Sequence, residues 1–129
     1  MTLIDSSAWI EMFRDTESDT DRVLRRLLGS DEELATSEPV AMELLAGAAS
    51  ALQRLRVGRI LAACRNIPVT TGDWEDAAGI HLACRRSGET PRKLLDCLLA
   101  AVAIRAGVPV LSADRDFETI AAHTQLELA

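Results

Sequence analysis

The sequence predicts an α/β fold built on a central, mostly parallel sheet of four or five short strands. Three observations carry that reading. Short apolar runs bounded by turn residues alternate with longer stretches of helical periodicity, the pattern of successive βα units. The stretch Thr90 to Phe117, TPRKLLDCLLAAVAIRAGVPVLSADRDF, reads as helix, glycine stop, buried strand and acidic turn. Finally, acidic residues recur just after strands or near helix starts, which a parallel sheet gathers at its carboxyl edge, where open α/β folds form their sites.

Taken in order, Thr2 to Asp5 reads as a first strand ending in an acid, with Ser6 and Ser7 as caps of the helix carrying Trp9, Ile10, Met12 and Phe13. A second helix starts after Ser18–Asp19, carries Val23, Leu24, Leu27 and Leu28, and stops at Gly29. Leu34 to Ser37 is a second strand. Ser37 then caps a helix with Glu38 and Pro39 in its first turn, running to Gly47 and placing Glu43 about one turn inside. Ala51 to Arg65 is an amphipathic helix with Val57, Ile60, Leu61 and Cys64 on one face.

Ile67 to Thr70 reads as a third strand, and Thr71 or Asp73 as the cap of a helix reaching Arg86. In the late unit, Thr90 is the expected N-cap and Pro91 the first helical residue, with Leu95, Leu98, Leu99, Val102 and Ala103 at helical spacing. Gly107 suits a left-handed C-terminal position, Val108 to Leu111 is a strand, and LEL at Leu126 to Leu128 is a candidate edge strand.

Composition sets bounds. At 129 residues the chain is expected to form one domain, 1–129, with a sizeable core. No apolar run approaches the ~20 residues needed to span a bilayer, and the amino terminus lacks the basic start of a signal peptide, so a cytoplasmic location is expected. Cys64, Cys84 and Cys97 form no CxxC pair and read as reduced thiols. The net charge of −6 does not exclude a nucleic-acid substrate, because bound cations at an acidic site meet the phosphate first.

The candidate chemistry lies in Asp5, Glu43, Asp96 and Asp114. Each has a local explanation as a helix cap or a dipole partner. Four converging on one sheet edge without a cation would repel and raise one another's pKa values. Carboxylate oxygens with no His or Cys close by in sequence suit Mg²⁺ or Mn²⁺. His81 reads as a partly buried structural histidine and His123 as a solvated one. Arg85, Arg86, Arg92 and Lys93 precede Asp96 and are candidate contacts to nucleic-acid phosphates, balanced against a solvated helix end. The Trp9, Met12 and Phe13 patch, with Leu24, Leu27 and Leu28, is mostly core but leaves room for a groove that takes a partner helix.

LIDSSAWIE, the Glu of AMELLAG, DCLLAAVAIRAGVPVLSADRDF and the overall length together resemble PIN-domain ribonucleases, and more narrowly the VapC-type toxins of toxin–antitoxin pairs. The resemblance covers nearly the whole chain and is most specific from Asp96 to Phe117. It implies a three-layer α/β/α domain and a metal-dependent endoribonuclease that inhibits translation and growth. It places Asp5, Glu43, Asp96 and Asp114 on the family's four acidic positions, Asp116 as a supporting metal ligand or water holder, and Ser7 and Ser112 as hydroxyls bonding to the site. It further implies one or two Mg²⁺ or Mn²⁺ ions, 5′-phosphate and 3′-hydroxyl products, a VapB-type antitoxin and a homodimer.

Two rivals frame this reading. A phosphoacceptor receiver domain needs an acidic pair after strand one, an Asp after strand three and a late Lys. Here Asp5 stands alone, strand three ends in Thr70 and Thr71, and Lys93, the only Lys, precedes a helix. A non-catalytic RNA- or protein-binding module of the same fold remains the alternative, opposed by the complete acidic set.

Overall fold

The computed structural model describes residues 1–129 and confirms the α/β architecture. Its elements run β1 (Thr2–Ile4), α1 (Ser6–Phe13), α2 (Asp19–Leu28), β2 (Leu34–Thr36), α3 (Glu38–Gly47), α4 (Ala51–Ala63), β3 (Arg65–Asn66), α5 (Thr71–Arg86), α6 (Leu94–Ala106), β4 (Val110–Leu111) and α7 (Asp116–His123). The four strands are all parallel, in the order β3-β2-β1-β4. Leu3 and Ile4 register with Val110 and Leu111, and Leu3 with Ala35 on the other side. The chain moves outward from β1 to β3 and then crosses back to lay β4 on the opposite flank. The reversal falls between β1 and β4, the place where such sheets open a crevice at their carboxyl ends.

Strand residues Leu3, Ile4, Ala35 and Val110 are fully buried. Helix α6 supplies the other half of the core: Cys97 through Ala103 are buried without interruption. A helix apolar on all sides must be covered on all sides, and α5 and α7 pack against it. Helices α1, α2, α3 and α4 form a second group through α1–α2, α1–α3 and α3–α4 contacts. Trp9, Leu24 and Phe117 are the large side chains closing the core.

The left-handed stop of α6 is where the sequence placed it, with Gly107 at φ 69°. Ser18 caps α2 by accepting from the Asp21 amide, and Ser37 precedes α3, with Pro39 in the first turn. Several boundaries move. Helix α6 begins at Leu94 after Lys93, not at Thr90 and Pro91. The Arg92 amide donates to Asp116 at 2.9 Å, which ties this segment to the late acidic turn and keeps it out of the helix. Ser6 and Ser7 lie inside α1, whose N-cap position is Asp5. The Ser7 hydroxyl is spent on Asp5 and Ser112 instead.

Helix α5 is preceded by Thr70 rather than capped by Thr71 or Asp73. Asp73 is its third residue and accepts from the Thr70 amide at 2.7 Å. Strand β3 covers Arg65–Asn66, two residues before the expected run, so α4 ends at Ala63. Ile67 does donate to Thr36, but Ser37 then takes the Ile67 carbonyl with its side chain, and the ladder ends. The LEL segment contributes one parallel bridge, Val110 to Leu128, in place of a strand. No helix is long and apolar enough to cross a membrane.

Candidate active site

Because the strands are parallel, Asp5 after β1 and Asp114 after β4 emerge at one edge of the sheet. The Asp5 amide donates to Leu111 at 2.9 Å, which locks the two strand ends together. Asp96 is the third residue of α6 and is only 4% exposed. Helix α6 runs antiparallel to β4, so its start returns to the same edge. Single oxygens of Asp96, Asp114 and Asp116 lie within 4.8 Å of one another.

Asp5 is organised by hydroxyls. Ser112 Oγ donates to Asp5 Oδ2 at 2.8 Å and Ser7 Oγ donates to the same oxygen. The two hydroxyls are 3.0 Å apart, and the amides of Ala113 and Asp114 donate to Ser7 and Ser112 respectively. This joins α1 to the turn after β4 and leaves Asp5 Oδ1 free of protein donors. Asp114 Oδ1 accepts from the Asp116 amide at 3.0 Å. Glu43, on α3, is more open, and Lys93 Nζ approaches its Oε2 at 4.0 Å.

The electrostatics are those of an acidic pocket that Arg92 and Lys93 compensate only in part. Asp96 Oδ2 is buried and has no hydrogen-bond partner. Burial first, and then the charges of Asp5 and Asp114, push the Asp96 carboxyl up to about 7. Burial and the Asp5 charge also raise Glu43, against the opposing charge of Lys93. A buried carboxylate without donors is costly as an anion. An oxygen-ligated divalent cation removes that cost, so the residues present fit Mg²⁺ or Mn²⁺.

The candidate basic residues fall into two groups. Arg92 bonds to Asp114 at 3.0 Å and Asp116 at 3.1 Å, and Lys93 faces Glu43, so both are engaged by acids. Arg85 and Arg86 lie exposed in the last turn of α5 and bond to none of the acids. Sequence reasoning passed over Arg14, at the end of α1, and Arg115, between two of the acids, which line a cavity beside Asp114. The position of Arg115 in the DRD triplet was the available signal. His81 is half-buried on α5. His123 Nε2 lies 2.9 Å from Ser87 Oγ, and Glu89 approaches that same nitrogen at 3.8 Å, so the three do not form a relay across the ring.

A family model, the PIN domain, matches residues 2–123 of the chain. The chain belongs to the PIN-domain family. The ribonuclease VapC11 of Mycobacterium tuberculosis is 43% identical over 131 residues, covering 100% of this chain and 98% of that protein. Among solved PIN folds, VapBC-5 of M. tuberculosis, a member of the VapBC family of toxin–antitoxin systems, superposes with a TM-score of 0.72 at 25% identity, covering 98% of this chain and 95% of that one. VapC20 of M. tuberculosis, a sarcin–ricin-loop-cleaving toxin, has the same fold with a TM-score of 0.72 at 21% identity, covering 98% and 99%.

Proposed function

We propose that this PIN domain is a Mg²⁺- or Mn²⁺-dependent endoribonuclease and the toxin of a toxin–antitoxin pair, acting from the acidic pocket. The observation that carries the reading is Asp96: a buried carboxylate with an unpartnered oxygen, beside Asp114 and Asp116. Kinship with a VapC ribonuclease at 43% identity supports RNA as the substrate. The likeness to a VapBC toxin–antitoxin protein supports a VapB-type partner.

Asp96, Asp114 and Asp116 would hold the cation, with Asp5 and Glu43 completing the ligand set. When bound, the cation supplies an acidified water and a counter-charge for the phosphodiester in a hydrolysis leaving a 5′-phosphate and a 3′-hydroxyl. The protein's own part is preorganisation. Ser7 and Ser112 fix Asp5 by one oxygen and present the other. The Asp116 amide and the Arg92 guanidinium fix Asp114 through Oδ1, leaving Oδ2 open. Placement of this kind, made before substrate arrives, is how such sites gain rate.

The partner surface is supported by exposed apolar side chains on adjoining helices, Met42 and Leu45 of α3 and Leu52 and Leu55 of α4. A cavity of about 340 Å³ between α1, α3 and α4, lined by Ile10, Phe13, Leu44 and Val57, reaches Glu43. An antitoxin helix seated there could aim a basic side chain at the carboxylates. Phe13 of the apolar patch read from the sequence lines this cavity, whereas Trp9 and Leu24 of the same patch are buried in the core. The homodimer is proposed alongside, and a monomeric mass in light scattering at micromolar concentration would remove it.

The deciding experiment is RNA cleavage by the purified protein with Mg²⁺ or Mn²⁺ and with EDTA. Cleavage that EDTA abolishes is expected. RNA binding with no cleavage under any metal condition selects the non-catalytic module instead.

A further inference from the structure

We infer that Arg14 and Arg115 form a phosphate-binding subsite for the strand of RNA flanking the cleaved bond. The inference rests on the ribonuclease reading for its ligand and deepens it by assigning residues outside the acidic set. The two arginines come from separate parts of the chain, the C-cap of α1 and the turn before α7, yet line one open cavity of about 380 Å³. Ser7, Arg92 and Asp114 line the same cavity, so it opens directly onto the acidic pocket.

Their charges are uncommitted. Arg92 is paired with Asp114 and Asp116, Arg25 with Asp15 and Asp21, and Arg105 with Asp73, whereas neither Arg14 nor Arg115 pairs with any carboxylate. In a chain of net charge −6, with Glu11 and Asp114 on the same cavity wall, two unpaired guanidiniums leave donors facing outward. An arginine fork matches phosphate oxygens in pairs. A phosphodiester next to the scissile one fits this chemistry: the acids need a cation between them and the reacting phosphate, while its neighbour meets arginine directly.

The test is binding of a fluorescent single-stranded RNA in Mg²⁺ on an Asp96→Asn background, measured by anisotropy across a salt series. Arg14→Ala with Arg115→Ala is expected to weaken binding at least about tenfold, similarly for unrelated sequences. Losing two phosphate contacts should flatten the slope of log affinity against log salt by about 1.4, at ~0.7 per contact on a single strand. Arg59→Ala is the control, because Arg59 lies beside Glu32 and Glu33 next to the start of β2, away from the carboxyl edge.

Unchanged affinity and slope in the double variant would overturn the subsite. So would an equal loss from Arg59→Ala, or a parent protein that does not bind RNA. In the otherwise native enzyme, the pair of substitutions should raise KM with little change in kcat. Cleavage with an unaltered KM defeats the subsite and leaves the nuclease standing. Arginine-dependent binding without cleavage does the reverse.

Discussion

Arg92 reaches Asp114 through a single N–H, Nη2 to Oδ1 at 3.0 Å, while its Nε and its backbone amide both go to Asp116 Oδ2. One oxygen of each carboxylate is thereby occupied and the other left open. The guanidinium offsets part of the repulsion in the pocket from a position 73% exposed to solvent.

Arg92→Gln should therefore act in opposite directions on the protein with and without metal. Without a cation, the acids lose their counter-charge and the melting temperature falls. With Mg²⁺, the upward shift in melting temperature grows, because a competing positive charge has gone. Calorimetric titration showing weaker Mg²⁺ binding in the variant would mean that Arg92 mainly orients the carboxylates.

Asp96→Asn should lower the cleavage rate by at least about a hundredfold in a folded protein. At pH 8 its metal-free form should melt no lower than the parent, since a buried repulsive charge is removed. Magnesium at ~10 times its Kd stabilises the parent by about 1.4 kcal/mol, and the variant should lose most of that gain. A residue acting only as a dipole partner would instead cost about 0.3–1 kcal/mol with or without metal. Melting curves in EDTA and in millimolar Mg²⁺, at fixed ionic strength, separate the two.

The raised Asp96 pKa fixes the sign of a pH effect. In the metal-free folded protein this carboxyl titrates at about 7, against ~3.9 for an unperturbed Asp. Between those values the native state holds a proton that the unfolded state has lost. Its contribution to stability is therefore complete below ~4, declines as pH rises, and is gone above ~7. Cation binding requires the anion, so the Mg²⁺-induced shift should be small at pH 6 and larger at pH 8. Asp96→Asn should flatten both dependences, as read by thermal melts across that range.

Away from the pocket, Asp73 is fully buried and accepts from Arg105 Nε at 2.9 Å and from the Thr70 amide, while Arg105 Nη2 also donates to Pro68. The hydrogen bonds of Arg105 hold the Asp73 carboxyl below the usual range. This contribution is present above ~3.9 and disappears as pH falls through the lowered native value. Asp73→Ala should destabilise by about 1–3 kcal/mol in denaturant melts at pH 7 and leave the cleavage rate per folded molecule unchanged. A selective loss of activity would tie Asp73 to the site.

Much of this was legible because the late βα unit obeys local rules. Leucines at helical spacing, Gly107 and the VPVL run leave few arrangements for Asp96 and Asp114. The hydroxyls of Ser7 and Ser112 were named only through resemblance, since serine carries no periodic signal. The missed features are contacts between distant segments. Nothing in TPRKLL says that Arg92 will bond to the turn after β4, and that bond is what delays α6 to Leu94. Arg14 and Arg115 were overlooked for the same reason: their kinship exists only across the closed sheet edge.

The pairing of β1 with β4 also bears on when the acidic pocket comes into being. The hydrogen bond from Ser112 to Asp5 spans 107 positions of sequence, among the most distant contacts in the fold. Loops of that length close late, after nearby helices have formed. A partly folded chain in which β4 has not docked can possess every helix and still lack a pocket. Refolding followed simultaneously by helical signal and by nuclease activity should show the activity returning last. For a protein proposed to harm the cell that makes it, such lateness is a form of restraint written into the topology.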